Sequence, residues 1–303
     1  MGTPEFAVPS LDILVQNNYD IVAVVTSTDS YGGRGGKQLI ESSIKKYAIE
    51  HNIPVLQPTN LKSTEFIGQL KSYQADFQIV VAFRMLPEVV WNMPPLGTFN
   101  LHGSLLPKYR GAAPINHAII QGETETGVTS FKLKHEIDTG DVLLQKKVPV
   151  YENDDAGTLH DRMMIIGADV VLETVKLIES GKFTFTKQED AESPKAPKIF
   201  HETCKIDFKK PVDQVYNFIR GLSPYPGAWC VLEGKEIKLL KTKKRMFTDE
   251  NEAETIVTDH KKSFEIKCND GYIHVISLKP QGKKEMSVID FLNGNKIAAK
   301  TID

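Results

Sequence analysis

At residues 78–83 the chain reads QIVVAF, and at residues 99–107 it reads FNLHGSLLP. The first stretch is an uninterrupted apolar run, which is typical of a buried strand in a parallel sheet. In the second, Asn100 and His102 share one face of a strand, because alternate residues of a strand point the same way. Both lie at the carboxyl end of the sheet, where α/β folds bind ligands. The sequence therefore predicts a ligand site at this edge.

The pattern around these stretches alternates short β-branched runs with amphipathic ones, which is the signature of βαβ units. The alternating segments are 21–25, 40–53, 55–56, 61–73 and 77–83, and a long helix is predicted over 158–180. The first part of the chain is thus expected to be α/β, with a Rossmann-like, mostly parallel sheet.

The last third of the chain has a different pattern. Residues 190–197 are polar and contain two prolines, so they are interpreted as a linker. A short helix over 212–220 precedes strand-like pieces at 229–232, 237–241, 254–259, 263–268 and 272–278, which favour a small β-barrel. We predict a catalytic domain over 1–183, a linker over 184–204 and a second domain over 205–303.

Composition excludes several classes of protein. The chain has 303 residues, 41% hydrophobic and 25% charged, as expected for a globular protein of two domains. No apolar run approaches the ~18 residues of a membrane span, and the N-terminus lacks the pattern of a signal peptide. Three widely spaced cysteines indicate reduced thiols in a cytoplasmic protein and give no zinc-ligand spacing.

Charge is unevenly distributed along the chain. Residues 205–303 carry a net charge of +4, whereas the rest carries −6. A positive appendage on an acidic body suggests a polyanionic partner, although such runs also occur as solvated faces. The densest clusters are Lys241 with Lys243, Lys244 and Arg245, and Lys279 with Lys283 and Lys284.

Other chemistries find less support. No His-x-x-x-His pair is present, and Ser104 lacks a Gly-x-Ser-x-Gly elbow. The stretch at 31–38 fails as a phosphate loop, since Tyr31 stands where glycine is needed and Gln38 replaces Ser or Thr. A dinucleotide-dependent oxidoreductase is disfavoured because no Gly-x-Gly-x-x-Gly follows the first strand.

The polar motifs together resemble the folate-dependent formyltransferases, in which Asn-x-His, a Ser-Leu-Leu-Pro loop and an Asp-x-Gly turn surround the formyl group. Asn100, His102 and Asp138 occupy the matching positions. The resemblance extends over nearly the whole chain. Further matching stretches are 2–6, 33–35, 110–114, 196–199 and 292–294.

The resemblance implies transfer of a formyl group from 10-formyltetrahydrofolate to the amino group of initiator methionyl-tRNA, in translation initiation. Asn100 and His102 would stabilise the oxyanion, and Asp138 would orient His102 and pass the proton on through a water. The residues implied in folate binding are Phe83, Arg84, Met85, Leu86, Ser104, Leu105, Leu106, Pro107, His135 and Glu136. Those implied in tRNA binding are Arg34, Lys37, Lys241, Lys243, Lys244 and Arg245.

Further expectations follow from the resemblance. The second domain would be OB-like, no metal would be required, no membrane would be bound, and the protein would be a monomer. A central strand that precedes Gly2 in the family has no counterpart, and its absence would expose two rows of unpaired backbone groups. The Leu106–Pro107 bond is predicted to be cis. Two alternatives stay open: a formyltransferase for an amino sugar-nucleotide or other small amine, and a catalytically dead tRNA-binding protein.

Overall fold

Helices and strands alternate through the first part of the chain, and strands dominate the last third, in agreement with the sequence patterns. The computed structural model describes residues 1–32, 36–189, 193–247 and 249–302. Its helices are α1 (Val8–Gln16), α2 (Ser43–Glu50), α3 (Thr64–Ser72), α4 (Glu88–Trp91), α5 (Pro114–Ile120), α6 (Ala156–Ser180), α7 (Val212–Leu222) and α8 (Val288–Gly294). Single 3-10 turns lie at Glu5–Ala7 and His201–Cys204.

The strands are short in the first part of the chain and longer in the last. They are β1 (Val24–Val25), β2 (Ser30–Gly32), β3 (Gln38–Ile40), β4 (Val55–Leu56), β5 (Gln78–Val81), β6 (Thr98–His102), β7 (Arg110–Gly111), β8 (Glu125–Lys132), β9 (Val142–Pro149), β10 (Lys195–Ala196), β11 (Ala228–Leu232), β12 (Lys235–Met246), β13 (Ile256–Thr258), β14 (Phe264–Lys267), β15 (Gly271–Pro280) and β16 (Met286–Ser287).

The chain folds into two units, neither of which is continuous in sequence. The first contains Met1–Gly111, Gly127–Val148 and His160–Lys195, and the second contains Ala112–Thr126, Pro149–Leu159 and Ala196–Asp303. Helix α5 therefore groups with the C-terminal residues. The domain boundaries predicted from sequence, 1–183, 184–204 and 205–303, stay a prediction.

The main sheet of the first unit has the strand order β5-β6-β8-β9. Strand β6 runs parallel to β5, with Asn100 opposite Val80, and antiparallel to β8, with His102 opposite Thr129. The predicted pairing of the apolar strand with the Asn-His strand is confirmed. Because β6 is internal to the sheet, its backbone is fixed on both sides.

A second, two-stranded sheet of the first unit pairs β1 with β4 in parallel. Met1 and Gly2 lie between it and the main sheet, since the Gly2 amide donates to Val25 and the Val81 amide donates to Met1. A cavity of about 530 Å³ lies along the edges of β1 and β5. Burial lowers the pKa of the Met1 amine there to about 5. The expectation from sequence that the family's strand before Gly2 has no counterpart, and that its absence exposes unpaired backbone groups, stays a prediction.

Two helices of the first unit, α2 and α3, begin at serine caps and bury one apolar face. Ser42 accepts from the Lys45 amide and Ser63 from the Phe66 amide, which satisfies backbone donors at the starts of α2 and α3. The faces that they bury include Ile44, Ala48, Phe66 and Leu70. This packing holds the strands whose ends carry the polar residues.

The second unit is built on one antiparallel sheet in the order β11-β12-β15-β14-β13, with β16 on β15. The long strand β12 changes register against β15 between Leu239 and Thr242, and such an irregularity bends a strand. The amphipathic helix α7 covers the core beneath the sheet. The predicted β-rich, OB-like second fold is confirmed. The three cysteines are buried and free.

Across the described residues, none of the helices combines the length and apolar character needed to span a bilayer.

Candidate active site

The central strand β6 presents its polar side chains at the end of the sheet, as predicted. His102 is buried, whereas Asn100 is half-buried. No described residue makes a hydrogen bond to the side-chain amide of Asn100, so its two N–H groups and its oxygen are available to a ligand. An amide held on an internal strand is a preorganised donor.

The imidazole of His102 is held by the loop that follows β6. Its Nε2 lies 2.9 Å from the Tyr109 carbonyl oxygen. A carbonyl only accepts, so Nε2 carries the hydrogen and donates it. The second nitrogen, Nδ1, lies 3.8 Å from Oδ2 of Asp138. Proton exchange with a ligand would therefore use Nδ1, which faces the Asp138 carboxylate.

Asp138 sits in a strained turn that the surrounding polar groups hold in place. Its φ of 56° is in the left-handed region, which Asp tolerates better than most residues. Oδ2 accepts from the Gly111 amide at 2.9 Å, and the backbone oxygen accepts from Nε2 of Gln188 at 2.9 Å. The same side chain of Gln188 also accepts from the Arg110 guanidinium at 2.8 Å. The contacts with Gly111 and Gln188 fix the orientation of the Asp138 carboxylate.

Gln188 is a supporting residue that sequence reasoning missed. It is buried, and its amide joins the Asp138 turn to Arg110. In the sequence it lies within the segment 184–204 that is predicted to be a linker, so neither periodicity nor a motif distinguished it.

The loop 103–109 is tied together by Thr129 and Gln145. The Thr129 hydroxyl donates to the Ser104 carbonyl at 2.6 Å and accepts from the Leu106 amide at 3.2 Å. Gln145 donates to the Leu106 carbonyl at 2.8 Å. The bond before Pro107 is cis, as predicted. The loop geometry therefore depends on polar contacts from β8 and β9.

The loop residues implied in folate binding differ in what they can offer. The Ser104 hydroxyl donates to the Lys108 carbonyl at 2.6 Å, so it is used inside the loop. The side chain of Leu106 is buried, and those of Leu105 and Pro107 are half-buried. Contacts of this loop with a ligand would be made mainly by its backbone and by the partly exposed side chains.

The segment after β5 divides into a buried and an exposed part. Leu86 packs in the core, so a ligand could reach it only through its backbone. Met85, in contrast, is 72% exposed. The Arg84 guanidinium lies 5.7 Å from the Phe83 ring and donates to the carbonyls of Pro58 and Thr59. Arg84 thus links the segment after β5 to the backbone of residues 58–59.

The turn 135–138 lies against the same segment. His135 Nε2 is 3.0 Å from the Glu88 carboxylate, and its ring meets the Trp91 ring edge-on. The Glu136 backbone oxygen accepts from the Thr139 amide and hydroxyl. The side chain of Ile137 is 64% exposed, which, like the exposure of Met85, is unusually high for an apolar residue. Exposed apolar side chains and accessible backbone beside the polar residues fit a flat heteroaromatic ring such as that of a folate.

The β2–β3 hairpin carries the first group of residues implied in tRNA binding. Arg34 lies outside the described residues, and Lys37 is exposed. The Lys45 ammonium joins both ends of the hairpin, at 2.5 Å from Asp29 and 2.7 Å from Glu41. Hydrogen bonding to Lys45 lowers the pKa of Asp29. The base of the hairpin is thus held by Lys45 of α2, and Gln57 also donates to Asp29.

The basic cluster of β12 is less uniform than its sequence suggests. Beyond the register shift, Lys243 and Arg245 share one face of the strand, so Lys244 lies on the other face. Lys244 is 2.7 Å from Asp213, and Arg245 is 2.8 Å from Glu265. Hydrogen bonds to these carboxylates raise the pKa of both basic groups. The structure does not bring the four cations into one patch, and their role in tRNA binding stays a prediction.

The described residues contain no candidate metal site. No group of three or more His, Cys, Asp or Glu side chains there could hold a metal ion. The site is instead a set of hydrogen-bonding groups, and it can stabilise charge on an oxygen and hold a proton at Nδ1 of His102.

Comparison with known proteins places both halves of the chain in one family. A family model described as formyl transferase matches residues 1–175, and one described as formyl transferase, C-terminal domain, matches residues 198–296. The chain is 51% identical to the methionyl-tRNA formyltransferase of Parabacteroides distasonis, over 99% of this chain and 96% of the relative. It is 52% identical to that of Phocaeicola vulgatus, over 97% and 94%.

A solved structure supports the fold alone. The N-formyltransferase from Helicobacter canadensis, in complex with folinic acid and dTDP-3-aminofucose, superposes with a TM-score of 0.67. It is 22% identical and covers 90% of this chain and 96% of its own.

Proposed function

The chain belongs to the formyl transferase family, and on that premise we propose that it formylates the amino group of initiator methionyl-tRNA with 10-formyltetrahydrofolate as donor. The observation that carries this function is the full-length similarity, at about half of all positions, to methionyl-tRNA formyltransferases. It includes residues 205–303, whose net charge of +4 suits a polyanionic acceptor. The polar groups around β6 supply chemistry that suits the reaction.

The residues that would hold the folate are Phe83–Leu86, Ser104–Pro107, His135 and Glu136. When bound, the donor supplies an electrophilic formyl carbon and a nitrogen that can leave. The exposed apolar side chains of Met85 and Ile137 would cover its ring, and backbone groups of the neighbouring segments would bond to the ring edge.

Residues of the chain then stabilise the developing negative charge and transfer a proton. Asn100 donates an N–H to the oxygen on which negative charge develops, a contact whose loss typically lowers a rate by about 10²–10³. His102 takes up at Nδ1 the proton that the attacking amine loses and passes it to the nitrogen that leaves, because Nε2 is already committed to Tyr109. Asp138 stabilises the charged imidazole from 3.8 Å. Little activation of the acceptor is needed, since an α-amino group is substantially neutral near pH 7.

The setting follows from the reaction. A protein that formylates charged initiator tRNA works in translation initiation, and we place it in the cytoplasm, as a monomer. The tRNA would contact Arg34 and Lys37 in the first unit and the basic residues of β12 in the second.

The test is a formylation assay with three acceptors. Purified protein and 10-formyltetrahydrofolate are incubated with initiator methionyl-tRNA, with elongator methionyl-tRNA, or with a dTDP-amino sugar, and formylated product is separated by chromatography. We expect formylmethionine from initiator tRNA at least ~10²-fold faster than from the other two acceptors. Preferred formylation of the sugar would establish the small-amine alternative, and binding of tRNA without product would establish the inactive one.

A further inference from the structure

A pocket of about 380 Å³ lies wholly within the second unit. Two stretches singled out by the sequence resemblance, 110–114 and 196–199, contribute to it through Ala112, Ala113, Lys198 and Ile199, which have no part in the chemistry derived above. The residues that line it are Ala112, Ala113, Asn116, Lys198, Ile199, Phe200, His201, Cys204, Tyr225, Pro226, Gly227 and Lys238. A volume of this size lies within the range of small-ligand sites.

Two aromatic rings stand at this pocket with large exposed surfaces. Tyr225 is 82% exposed and Phe200 is 54% exposed. Other aromatic residues of the unit, such as Phe208, Phe264 and Tyr272, are almost fully buried. An exposed ring gains little stability for the fold, so the two rings are available to stack on a flat partner.

The loop that carries Tyr225 is held at its base. The Gly227 amide donates to the Leu222 carbonyl at 2.8 Å, and the Lys238 ammonium donates to the Pro226 carbonyl at 2.8 Å. Gly227 has a φ of +87°, and a Cβ there would meet Cδ of Lys238 at 2.9 Å. The positive φ favours glycine at this position, and the loop that carries Tyr225 is held by two hydrogen bonds at its base.

The pocket also carries positive charge. Lys198 lies 5.4 Å from the centre of the Phe200 ring, and Lys238 keeps further donors after its bond to Pro226. The described residues that line the pocket include no aspartate or glutamate. His201 faces Glu236 at 2.9 Å, at the rim. Flat rings next to unopposed ammonium groups match a ligand that combines a base with a phosphate.

We propose that this pocket binds an unstacked nucleotide of the tRNA substrate, with the base on Tyr225 and its phosphate at Lys198 and Lys238. The inference rests on the proposed function for the identity of the RNA. A strand of RNA fits better than a free nucleotide, because enclosed sites bury most of a small ligand, whereas Tyr225 protrudes as a stacking platform does.

The first experiment measures binding apart from chemistry. The dissociation constant of uncharged initiator tRNA is determined by fluorescence anisotropy for the wild type, Tyr225→Ala, Tyr225→Trp and the control Tyr151→Ala. Tyr151 is also exposed, at 57%, in the same unit. Loss of one stacked base should weaken binding ~10-fold in Tyr225→Ala, while Tyr225→Trp retains wild-type affinity. Equal affinity of Tyr225→Ala and Tyr151→Ala would overturn the proposal.

The second experiment separates the sources of the nucleotide and the two proposals. AMP and CMP are added as competitors, and only weak competition at millimolar concentration is expected. Tight binding of either, lost in Tyr225→Ala while tRNA affinity is unchanged, would replace the RNA by a free nucleotide and overturn the inference. A wild type that binds tRNA through Tyr225 but forms no formylmethionine would contradict the proposed function and leave the pocket supported.

Discussion

Replacement of Asp138 by asparagine is the sharpest test of the catalytic arrangement. The side chain keeps its shape, and its remaining oxygen can still accept from the Gly111 amide. Only the charge is lost. At the observed 3.8 Å from Nδ1 of His102, that charge stabilises an imidazolium by about 4 kcal/mol at an effective dielectric constant of ~20.

A loss of this size corresponds to ~10³-fold in rate. We expect Asp138→Asn to lower the single-turnover rate of methionyl-tRNA formylation by that factor, with Michaelis constants that change little. Asp141→Asn is the matched control, because that carboxylate faces Lys134 at 2.7 Å rather than His102. Its rate should stay near that of the wild type.

A double-mutant cycle decides whether Asp138 acts through His102. In a His102→Ala background, Asp138→Asn should cause almost no further loss, since residues that act as a unit are strongly non-additive. Two results would refute the reasoning: a single variant within about threefold of the wild type, or fully multiplicative losses in the double variant.

Three further predictions concern other parts of the molecule. Asn100→Ala should lower kcat by ~10²-fold with unchanged melting temperature, and a kcat near that of the wild type would remove Asn100 from the mechanism. Thr129→Val leaves polar groups of the loop 103–109 unpaired, so urea unfolding should show a loss of about 1–3 kcal/mol and the KM for the formyl donor should rise; unchanged values would contradict this loop assignment. Replacing Lys241 and Lys243 by glutamine should flatten the salt dependence of tRNA binding by a slope of about 1–2, whereas Lys262→Gln serves as a control, and an unchanged slope would mean a solvated face.

Much of the fold was predictable because short, local patterns determine it. The apolar run at 78–83 indicates a buried strand, and its residues 78–81 form β5, while the helix starts at Ser42 and Ser63 carry their capping residues in the sequence. The grouping of α5 with the C-terminal residues was not predictable. It depends on a close approach between Gly221 and Ile120, far apart in sequence, that no local pattern encodes.

Some features of the candidate site were likewise predictable from the sequence, and others were not. Asn100 and His102 follow from strand alternation, since both lie on β6. The choice of Nδ1 as the reactive nitrogen does not, because it depends on where the Tyr109 carbonyl lies. Likewise, the basic run of β12 is visible in the sequence, but its division between two faces and the pairing of Arg245 with Glu265 depend on neighbouring strands. A local sequence pattern does not show which distant residues will contact a given side chain.

The double contact of Lys45 has a consequence for engineering. Asp29 and Glu41 close the base of the β2–β3 hairpin on one ammonium group, so the two flanks of the hairpin are held to α2. Among the described strands, β2 and β3 pair only with each other. A peptide inserted between these two strands would therefore leave the register of the main sheet unaltered, which makes the hairpin a candidate graft site.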